Sequence, residues 1–349
     1  MHLRVAKTST IGHHLRSMRP AANIPASTTF NDVKELGRLD MEAVDALIRE
    51  SLASDVLLVS QVSEYIVAGG GKRLRPLIVL LAARALGYTG QHHVNAAAII
   101  EFIHTATLLH DDVVDHSELR RGQDTANVVF GNQASVLVGD FLYSRAFQMM
   151  VDIDSMPIMR ILADATNTIA AGEVLQLMNI QDPDVTEESY QTVIYRKTAK
   201  LFEAGSQIAA VLADRAPGDE SAMITYGRQL GTAFQLIDDA LDYDAEAEEL
   251  GKNLGDDLAE GKPTLPLIYA MRTGSATDAA MIREAIETGD IERLDDIRAV
   301  IESTGALQYT AARAKEAADT AIAALSEIPD SDYKDAMITI ADFAVKRRS

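Results

Sequence analysis

Two acidic clusters, each at the end of an apolar segment, constrain the fold of this sequence more than any other feature. The first follows a run from Val94 that is apolar on nearly every face, the pattern of a helix buried on all sides. The second follows the apolar segment Phe234–Ile237. Residues four apart share a helix face, so the first and last acid of each cluster point the same way. The clusters consist of Asp111, Asp112 and Asp115 and of Asp238, Asp239 and Asp242.

The acidic clusters need a cation, because carboxylates at the end of a helix repel one another and are disfavoured by the helix dipole. One such DDxxD cluster is equally typical of an acidic helix end in solvent. Two of them, facing each other across a helical bundle, would present oxygen ligands to Mg²⁺, with Mn²⁺ as a substitute. Since Mg²⁺ prefers to bridge carboxylates to a phosphorylated group, the clusters predict a diphosphate substrate.

Composition narrows the class of protein. With 349 residues, 47% of them hydrophobic, the chain can bury a large core, and its richness in alanine and leucine favours an all-helical fold. It contains no cysteine, which is consistent with a reducing cytosol and predicts a cytoplasmic protein. The net charge of −20 argues against a nucleic-acid partner. No apolar run is long enough to predict a membrane span.

The first 30 residues differ from the rest. They contain four basic residues and no acid, and are rich in Ser, Thr, His and Pro. A disordered leader is the favoured interpretation, with an organelle transit peptide or an over-extended start as alternatives. We expect residues 31–349 to form one all-helical domain, because no linker divides them.

Basic residues gather in segments that are unlike this acidic background. Gly69–Pro76 reads GGGKRLRP, in which three glycines allow close approach of a ligand and Lys72 and Arg75 suit phosphate oxygens. The pattern predicts that a helix, Leu77–Leu86, begins at Pro76. Lys197 and Thr198 lie on a predicted half-buried helix that ends at Leu212. The glycine-rich segment 250–266 is typical of a lid.

Six segments in order, GGGKRLRP, LLHDDVVDHSELRRG, GDFLYSRAF, KTAKLF, FQLIDDALDY and GKNLGDDLAEGKPTLP, resemble the trans-polyprenyl diphosphate synthases. The resemblance runs from about residue 40 to the C-terminus. It implies an all-α isoprenoid synthase fold, a large helical bundle around a central cavity, in a homodimer. It also implies that the chain adds isopentenyl diphosphate repeatedly to an allylic diphosphate such as farnesyl diphosphate, by Mg²⁺-assisted ionisation and condensation.

The resemblance also assigns roles to residues. It implies that Mg²⁺ is held by Asp111, Asp115 and Asp238, and that Asp112, Asp239, Asp242 and Lys197 belong to the catalytic set. It implies that isopentenyl diphosphate is bound by Lys72, Arg75, His104 and Arg121. It implies that the allylic diphosphate is bound by Arg120, Lys197, Thr198, Gln235, Lys252 and Lys262.

Chain length is predicted from the helix that leads into Asp111. One turn and two turns back on the same face are Thr107 and Ile103, with Ala106 beside Thr107. In short-chain members of the family, bulky aromatics near these positions block the growing tail, whereas Thr107 and Ala106 are small. The resemblance implies an octaprenyl product for a quinone side chain, which is destined for the membrane, with nonaprenyl or decaprenyl as near alternatives.

Two other functions compete with chain elongation. A terpene cyclase shares the helical fold and an acidic motif but does not bind isopentenyl diphosphate, so the basic cluster of Lys72, Arg75 and Arg121 argues against it. A non-catalytic subunit of a heteromeric synthase would have a damaged site. Both acidic motifs are complete, which favours a catalyst.

Overall fold

The computed structural model describes residues 29–120, 122–244 and 254–346. These residues are almost entirely helical, which confirms the predicted all-α class. Within them the strands are β1 (Leu119–Arg120) and β2 (Gln123–Asp124), an antiparallel pair. The predicted leader lies almost wholly in residues 1–28, outside the described residues, so the division of the chain at residue 31 stays a prediction.

Helices follow one another with short connections. The first part of the chain forms α1 (Phe30–Leu36), α2 (Arg38–Ser51), α3 (Leu57–Ala68), α4 (Leu74–Ala85), α5 (His92–Val114), α6 (Ala126–Phe130), α7 (Asn132–Asp152) and α8 (Met156–Asn179). The second part forms α9 (Glu187–Ile194), a π-helical turn (Tyr195–Ala199), α10 (Lys200–Leu212), α11 (Pro217–Leu241), α12 (Asp256–Ala259), α13 (Leu265–Thr273), α14 (Ala276–Thr288), α15 (Leu294–Thr304), α16 (Ala306–Ala324), a 3₁₀ turn (Leu325–Glu327) and α17 (Asp332–Lys346).

The central helix α5 is surrounded by other helices, as its apolar sequence predicts. It packs against α2, α4, α7 and α10, and its residues Ile99, Ile100 and Ile103 have no exposed surface. Burying such side chains is the main stabilisation available to a helix without an exposed face. The helix carrying the second acidic cluster, α11, packs against α10 and α16. These contacts hold the ends of α5 and α11 in fixed positions.

The helices begin only partly where the sequence signals predict. Thr186, a residue type favoured at helix N-caps, accepts a hydrogen bond from the Ser189 amide at the start of α9. The predicted start of a helix at Pro76 is wrong, because α4 begins two residues earlier, at Leu74. A proline is tolerated within the first helical turn, where its missing N–H would be unpaired in any case.

Within the described ranges, no helix has both the length and the apolar character needed to cross a bilayer.

Candidate active site

A cavity of about 340 Å³ lies where the ends of α5 and α11 approach each other. Its wall also includes residues of α4, α8, α9, the π-helical turn and the segment around Lys262. The fold brings twelve of the predicted site residues to this wall: Arg75, His104, Thr107, Asp111, Asp115, Arg120, Lys197, Thr198, Gln235, Asp238, Asp239 and Lys262.

In the first acidic cluster, two carboxylates face lysines. Asp111 Oδ2 lies 3.4 Å from Lys197 Nζ, and Asp115 Oδ2 lies 3.0 Å from Lys262 Nζ. Asp115 caps α5, donating its backbone N–H to the Asp111 carbonyl at 2.7 Å. Burial raises the pKa of Asp111, and the Lys197 ammonium opposes this shift. The site therefore holds buried negative charge that nearby cations offset.

Lys197 also contacts Glu173 of α8, which sequence reasoning did not single out. Lys197 Nζ donates to Glu173 Oε2 at 2.6 Å. The π-helical turn that carries Lys197 packs closely on Gly172, where a Cβ would lie only 2.9 Å from the Lys197 backbone nitrogen. Burial raises the pKa of Glu173 to about 7. The Lys197 ammonium lowers this pKa, whereas the negative charge on Asp111 raises it further.

The raised pKa of Glu173 predicts a pH dependence of folding stability. Between pH 4.5 and about 7 the folded protein binds this proton more tightly than the unfolded chain, so stability falls as pH rises through that window. The measurement is the free energy of unfolding in urea for the metal-free proteins. As pH rises from 5 to 7.5, we expect wild type to lose stability relative to the Glu173→Gln variant. The exposed Glu284→Gln variant is the control. An unchanged stability difference between Glu173→Gln and wild type at the two pH values would contradict the assignment.

The second acidic cluster is tied to α9 and the π-helical turn by a chain of hydrogen bonds. The Tyr190 hydroxyl donates to Asp239 Oδ2, and Gln235 Nε2 donates to Asp239 Oδ1 at 2.7 Å. Thr198 Oγ1 donates to Gln235 Oε1 at 2.9 Å. Burial raises the pKa of Asp239 to about 6, and the bonds from Tyr190 and Gln235 counteract it. Asp238 lies beside Asp239 on the cavity wall.

Asp112 and Asp242, predicted with the other acids, do not line this cavity. Asp112 Oδ1 accepts hydrogen bonds from Arg120 Nε at 2.8 Å and Nη2 at 2.5 Å, so it orients a guanidinium that does line it. The Asp242 carboxylate accepts the backbone N–H groups of Asp256 and Asp257 at 3.2 Å each. These acids hold neighbouring cavity-wall segments in place.

The basic segment at the start of α4 reaches the cavity through one of its cations. Arg75 Nη1 lies 3.1 Å from His104 Nε2, and the Arg75 guanidinium stacks over the Phe202 ring with 4.6 Å to the centroid. Lys72 is not among the lining residues, and its ammonium lies over the Phe343 ring at 5.5 Å. Two other predicted cations, Arg121 and Lys252, lie outside the described residues.

A second, larger cavity of about 800 Å³ adjoins the first. The two share Thr107, Asp111, Asp115, Glu173 and Gln176. Much of the remaining wall is apolar and comes from α7, from α8 and from the residue that follows α8: Phe147, Ile169, Ala170, Val174, Leu177 and Ile180. Of the residues predicted to control chain length, Thr107 lies where the cavities meet, whereas Ile103 and Ala106 are fully buried and line neither cavity.

Several lining residues were missed by sequence reasoning: Glu173, Gln176, Tyr190 and Asp257. Glu173 had a signal, since a carboxylate in the mostly apolar helix α8 needs a partner. Asp257 lies in GKNLGDDLAEGKPTLP, one of the six segments that carry the resemblance, but the resemblance implied no role for it. Tyr190 offered no such signal, because its partner Asp239 is 49 residues away.

Comparisons with known proteins agree with this geometry. A family model described as polyprenyl synthetase matches residues 56–304. The chain is 57% identical to the octaprenyl diphosphate synthase of Escherichia coli, over 90% of this chain and 98% of that enzyme. It is 47% identical to the all-trans-nonaprenyl-diphosphate synthase (geranyl-diphosphate specific) of Rhodobacter capsulatus, over 88% and 95%.

A solved structure gives the same result for the fold. The polyprenyl synthase from Caulobacter crescentus, complexed with calcium and isoprenyl diphosphate, superposes with a TM-score of 0.88 at 46% identity, over 93% of this chain and 99% of that one. The fold is that of a prenyltransferase with the isoprenoid synthase architecture. The chain belongs to the polyprenyl synthetase family, and the predicted family, fold class and enzyme class are confirmed.

Proposed function

We propose that this protein is a long-chain trans-polyprenyl diphosphate synthase that adds isopentenyl diphosphate repeatedly to an allylic diphosphate such as farnesyl diphosphate. One observation carries the proposal: acids of both motifs share a single cavity with Arg75 and His104. A prenyl elongating enzyme needs two neighbouring diphosphate sites, and the cations of this cavity fall into two groups: Arg75 lies beside His104, whereas Lys197 and Lys262 lie beside the first acidic motif. A terpene cyclase needs only one.

The donor set of the cavity fits a hard divalent cation. Asp111, Asp115 and Asp238 offer carboxylate oxygens, which Mg²⁺ prefers, and Mn²⁺ accepts the same ligands. Within residues 29–120, 122–244 and 254–346, no three acidic or histidine side chains already converge as a complete metal site. This suits Mg²⁺, which takes some of its ligands from water and substrate phosphate. When bound, the cation supplies Lewis-acid stabilisation of the departing diphosphate.

We assign the allylic diphosphate to the cations between the two motifs. Lys197 and Lys262 now pair with Asp111 and Asp115, and an arriving diphosphate would offer both ammonium groups a stronger anionic partner. Arg120, held by Asp112, adds a planar donor. The remaining residues proposed for this subsite are Thr198, Gln235 and Lys252.

Isopentenyl diphosphate is assigned to Lys72, Arg75, His104 and Arg121. In the reaction, the C–O bond of the allylic diphosphate breaks and its electron pair leaves with the diphosphate. The double bond of isopentenyl diphosphate then attacks the allylic cation, a carbon–carbon bond forms, and loss of a proton restores a double bond. The departing diphosphate is available as the base. The protein's part is to fix both diphosphates and exclude water.

The assignment of Arg75 predicts a selective kinetic defect. Arg75→Ala should raise the KM for isopentenyl diphosphate by about ten- to a hundredfold, since a hydrogen bond to a charged group is lost. The KM for the allylic substrate should change much less. Steady-state kinetics with each substrate varied in turn would measure this, with the exposed Arg293→Ala variant as control. Equal increases in both KM values would show that Arg75 does not belong to the isopentenyl diphosphate subsite.

We propose that the growing tail enters the larger, apolar cavity and that the product is octaprenyl diphosphate for a quinone side chain. Asp111 and Thr107 line both this cavity and the smaller one, so a hydrocarbon tail has space next to the reaction centre. The names of two relatives, an octaprenyl and a nonaprenyl synthase, support a product of this size. Nonaprenyl and decaprenyl diphosphate remain the near alternatives.

This path for the growing tail predicts the effect of a bulky side chain at position 107. Thr107 lies one helical turn, about 5 Å, from Asp111, so Thr107→Tyr should leave room for only the first isoprene units and shorten the product. The first condensations should persist. Chromatography of the products would report their length, with the exposed Thr320→Tyr on α16 as control. A full-length product from Thr107→Tyr would contradict the route.

We further propose that the chain works as a homodimer. Large apolar side chains that do not line the larger cavity are exposed on α7 and α8: Leu137, Val151, Met156 and Met178. Several exposed apolar side chains on neighbouring helices are typical of a protein interface. A cytoplasmic location stays a prediction from the sequence.

The activity can be tested against its two alternatives in one assay. Purified protein alone, given farnesyl diphosphate, radiolabelled isopentenyl diphosphate and Mg²⁺, should transfer label to a longer diphosphate. A cyclase would release an unlabelled hydrocarbon or alcohol. A non-catalytic subunit would leave both substrates unchanged, and either result would overturn the proposal.

A further inference from the structure

Arg73 adopts a backbone conformation that is unusual for its residue type. It lies immediately before α4 with φ 48° and ψ 37°, in the left-handed region. A side chain with a Cβ is disfavoured there, and the surrounding structure must hold it in place. Arg73 lies between Lys72 and Arg75, the two cations of this segment that the proposed function gives to isopentenyl diphosphate. Its conformation therefore fixes how the chain passes from one cation to the next.

The Arg73 side chain points to the central helix and away from the substrate cavity. Its Nη1 lies 2.6 Å from Glu101 Oε1, and the exposed fractions of the two side chains are 18% and 12%. Neither residue lines the cavity. An ion pair so largely removed from water has well-defined geometry, and removing one partner leaves the other charge without compensation.

Glu101 and His104 lie one helical turn apart on α5. The start of α4, together with Arg73 just before it, therefore meets α5 twice, through Arg73 with Glu101 at 2.6 Å and through Arg75 with His104 at 3.1 Å. Because both contacts join the same two elements, a shift of Arg73 relative to Glu101 would carry Arg75 with it. The first contact thus fixes the register in which the second one forms.

We propose that Arg73 and Glu101 are positioning residues for the isopentenyl diphosphate site. Their buried ion pair holds the strained segment in the one conformation that aims Arg75 at the cavity beside His104. They act through Arg75 and do not touch the substrate. The proposal rests on the proposed function, because it concerns the subsite that the proposed function assigns to isopentenyl diphosphate.

A second ion pair on the same helix provides a matched control. Arg84, at the far end of α4, pairs with Asp40 of α2 at 2.8 Å, and the exposed fractions are 25% and 23%. This pair has the same chemistry and similar burial, but it lies about 16 Å along the helix from Arg73. A pair that only stabilises the fold should behave as Arg84 and Asp40 do.

The test compares Glu101→Gln and Arg73→Gly with Asp40→Asn. Glycine suits the left-handed backbone and removes the whole Arg73 side chain, whereas glutamine keeps the shape of Glu101. We expect both site variants to raise the KM for isopentenyl diphosphate about tenfold, with the KM for the allylic substrate unchanged. Arg73→Lys, which keeps the charge, should recover most of the affinity. Asp40→Asn should lower the melting temperature and leave both KM values unchanged.

The possible outcomes separate the two proposals. If wild type fails to elongate an allylic diphosphate, the proposed function falls. If wild type elongates but the folded Glu101→Gln and Arg73→Gly variants keep the wild-type KM for isopentenyl diphosphate, the positioning role alone falls. Equal rises in both KM values would also overturn it. Should Arg73→Gly fail to fold, Glu101→Gln and Arg73→Lys decide the question.

Discussion

Removing divalent cations with a chelator should reduce elongation to the background rate, and adding Mg²⁺ should restore it. The carboxylates of Asp111, Asp115 and Asp238 line the cavity, and Lys197 and Lys262 lie 3.4 and 3.0 Å from the first two. These lysines can bind a diphosphate, yet they do not neutralise the several charges that accumulate as it departs. A divalent cation supplies that stabilisation.

The assay would follow radiolabelled isopentenyl diphosphate after dialysis against EDTA, with Mg²⁺ or Mn²⁺ added back in separate samples. Unfolding curves recorded on the same samples would show that the chelator has not denatured the protein. Undiminished turnover in the chelated and verified metal-free enzyme would contradict the role given to the acidic motifs.

Replacing one carboxylate with its amide should have the second-largest effect. Asp111→Asn and Asp238→Asn keep the shape of the side chain but remove a charged oxygen ligand, so we expect kcat to fall by about 100- to 1000-fold. Folding should be nearly unaffected, or stability should rise slightly, because burial already raises the pKa of Asp111 and a neutral amide avoids that cost.

A charge-matched control is available in Asp295→Asn, because the Asp295 side chain is 98% exposed and lies on α15, outside the lining of either cavity. This variant should retain full activity. Wild-type kcat in a folded Asp111→Asn enzyme would show that the first motif is not a metal site.

The sequence was informative where one helix carries the whole signal. Asp111 and Asp115 share a face because of the helical period, and the same spacing returns at Asp238, so the helix face that carries each motif could be predicted without coordinates. Arg75 and Lys197 were found because basic residues stand out in an acidic chain. Both line the cavity.

Contacts between distant helices could not be predicted in the same way. Glu173 meets Lys197 because α8 packs on the π-helical turn. Tyr190 meets Asp239 because α9 leads into that turn, which packs on α11. Asp112 belongs to the same motif as Asp111, yet its carboxylate accepts a hydrogen bond from Arg120 and does not line the cavity. Spacing shows which face of a helix a residue occupies, but packing decides what that face meets.

Local backbone geometry was also only partly predictable. The start of α4 was placed at Pro76 because proline favours the first helical position, whereas the left-handed Arg73 lets the helix begin at Leu74. Ile103 was placed beside the tail from helix periodicity, and Ala106 from the resemblance. Both are fully buried and line neither cavity, whereas Thr107, which was predicted with them, lies where the two cavities meet.

The most direct test of the central claim is the length of the product made by the purified chain alone. Incubated with farnesyl diphosphate, isopentenyl diphosphate and Mg²⁺, it should yield all-trans octaprenyl diphosphate as the main species in chromatography coupled to mass spectrometry. Recovery of unextended farnesyl diphosphate, or of a cyclised hydrocarbon, would contradict the claim that the two acidic motifs and the basic site form one chain-elongating centre.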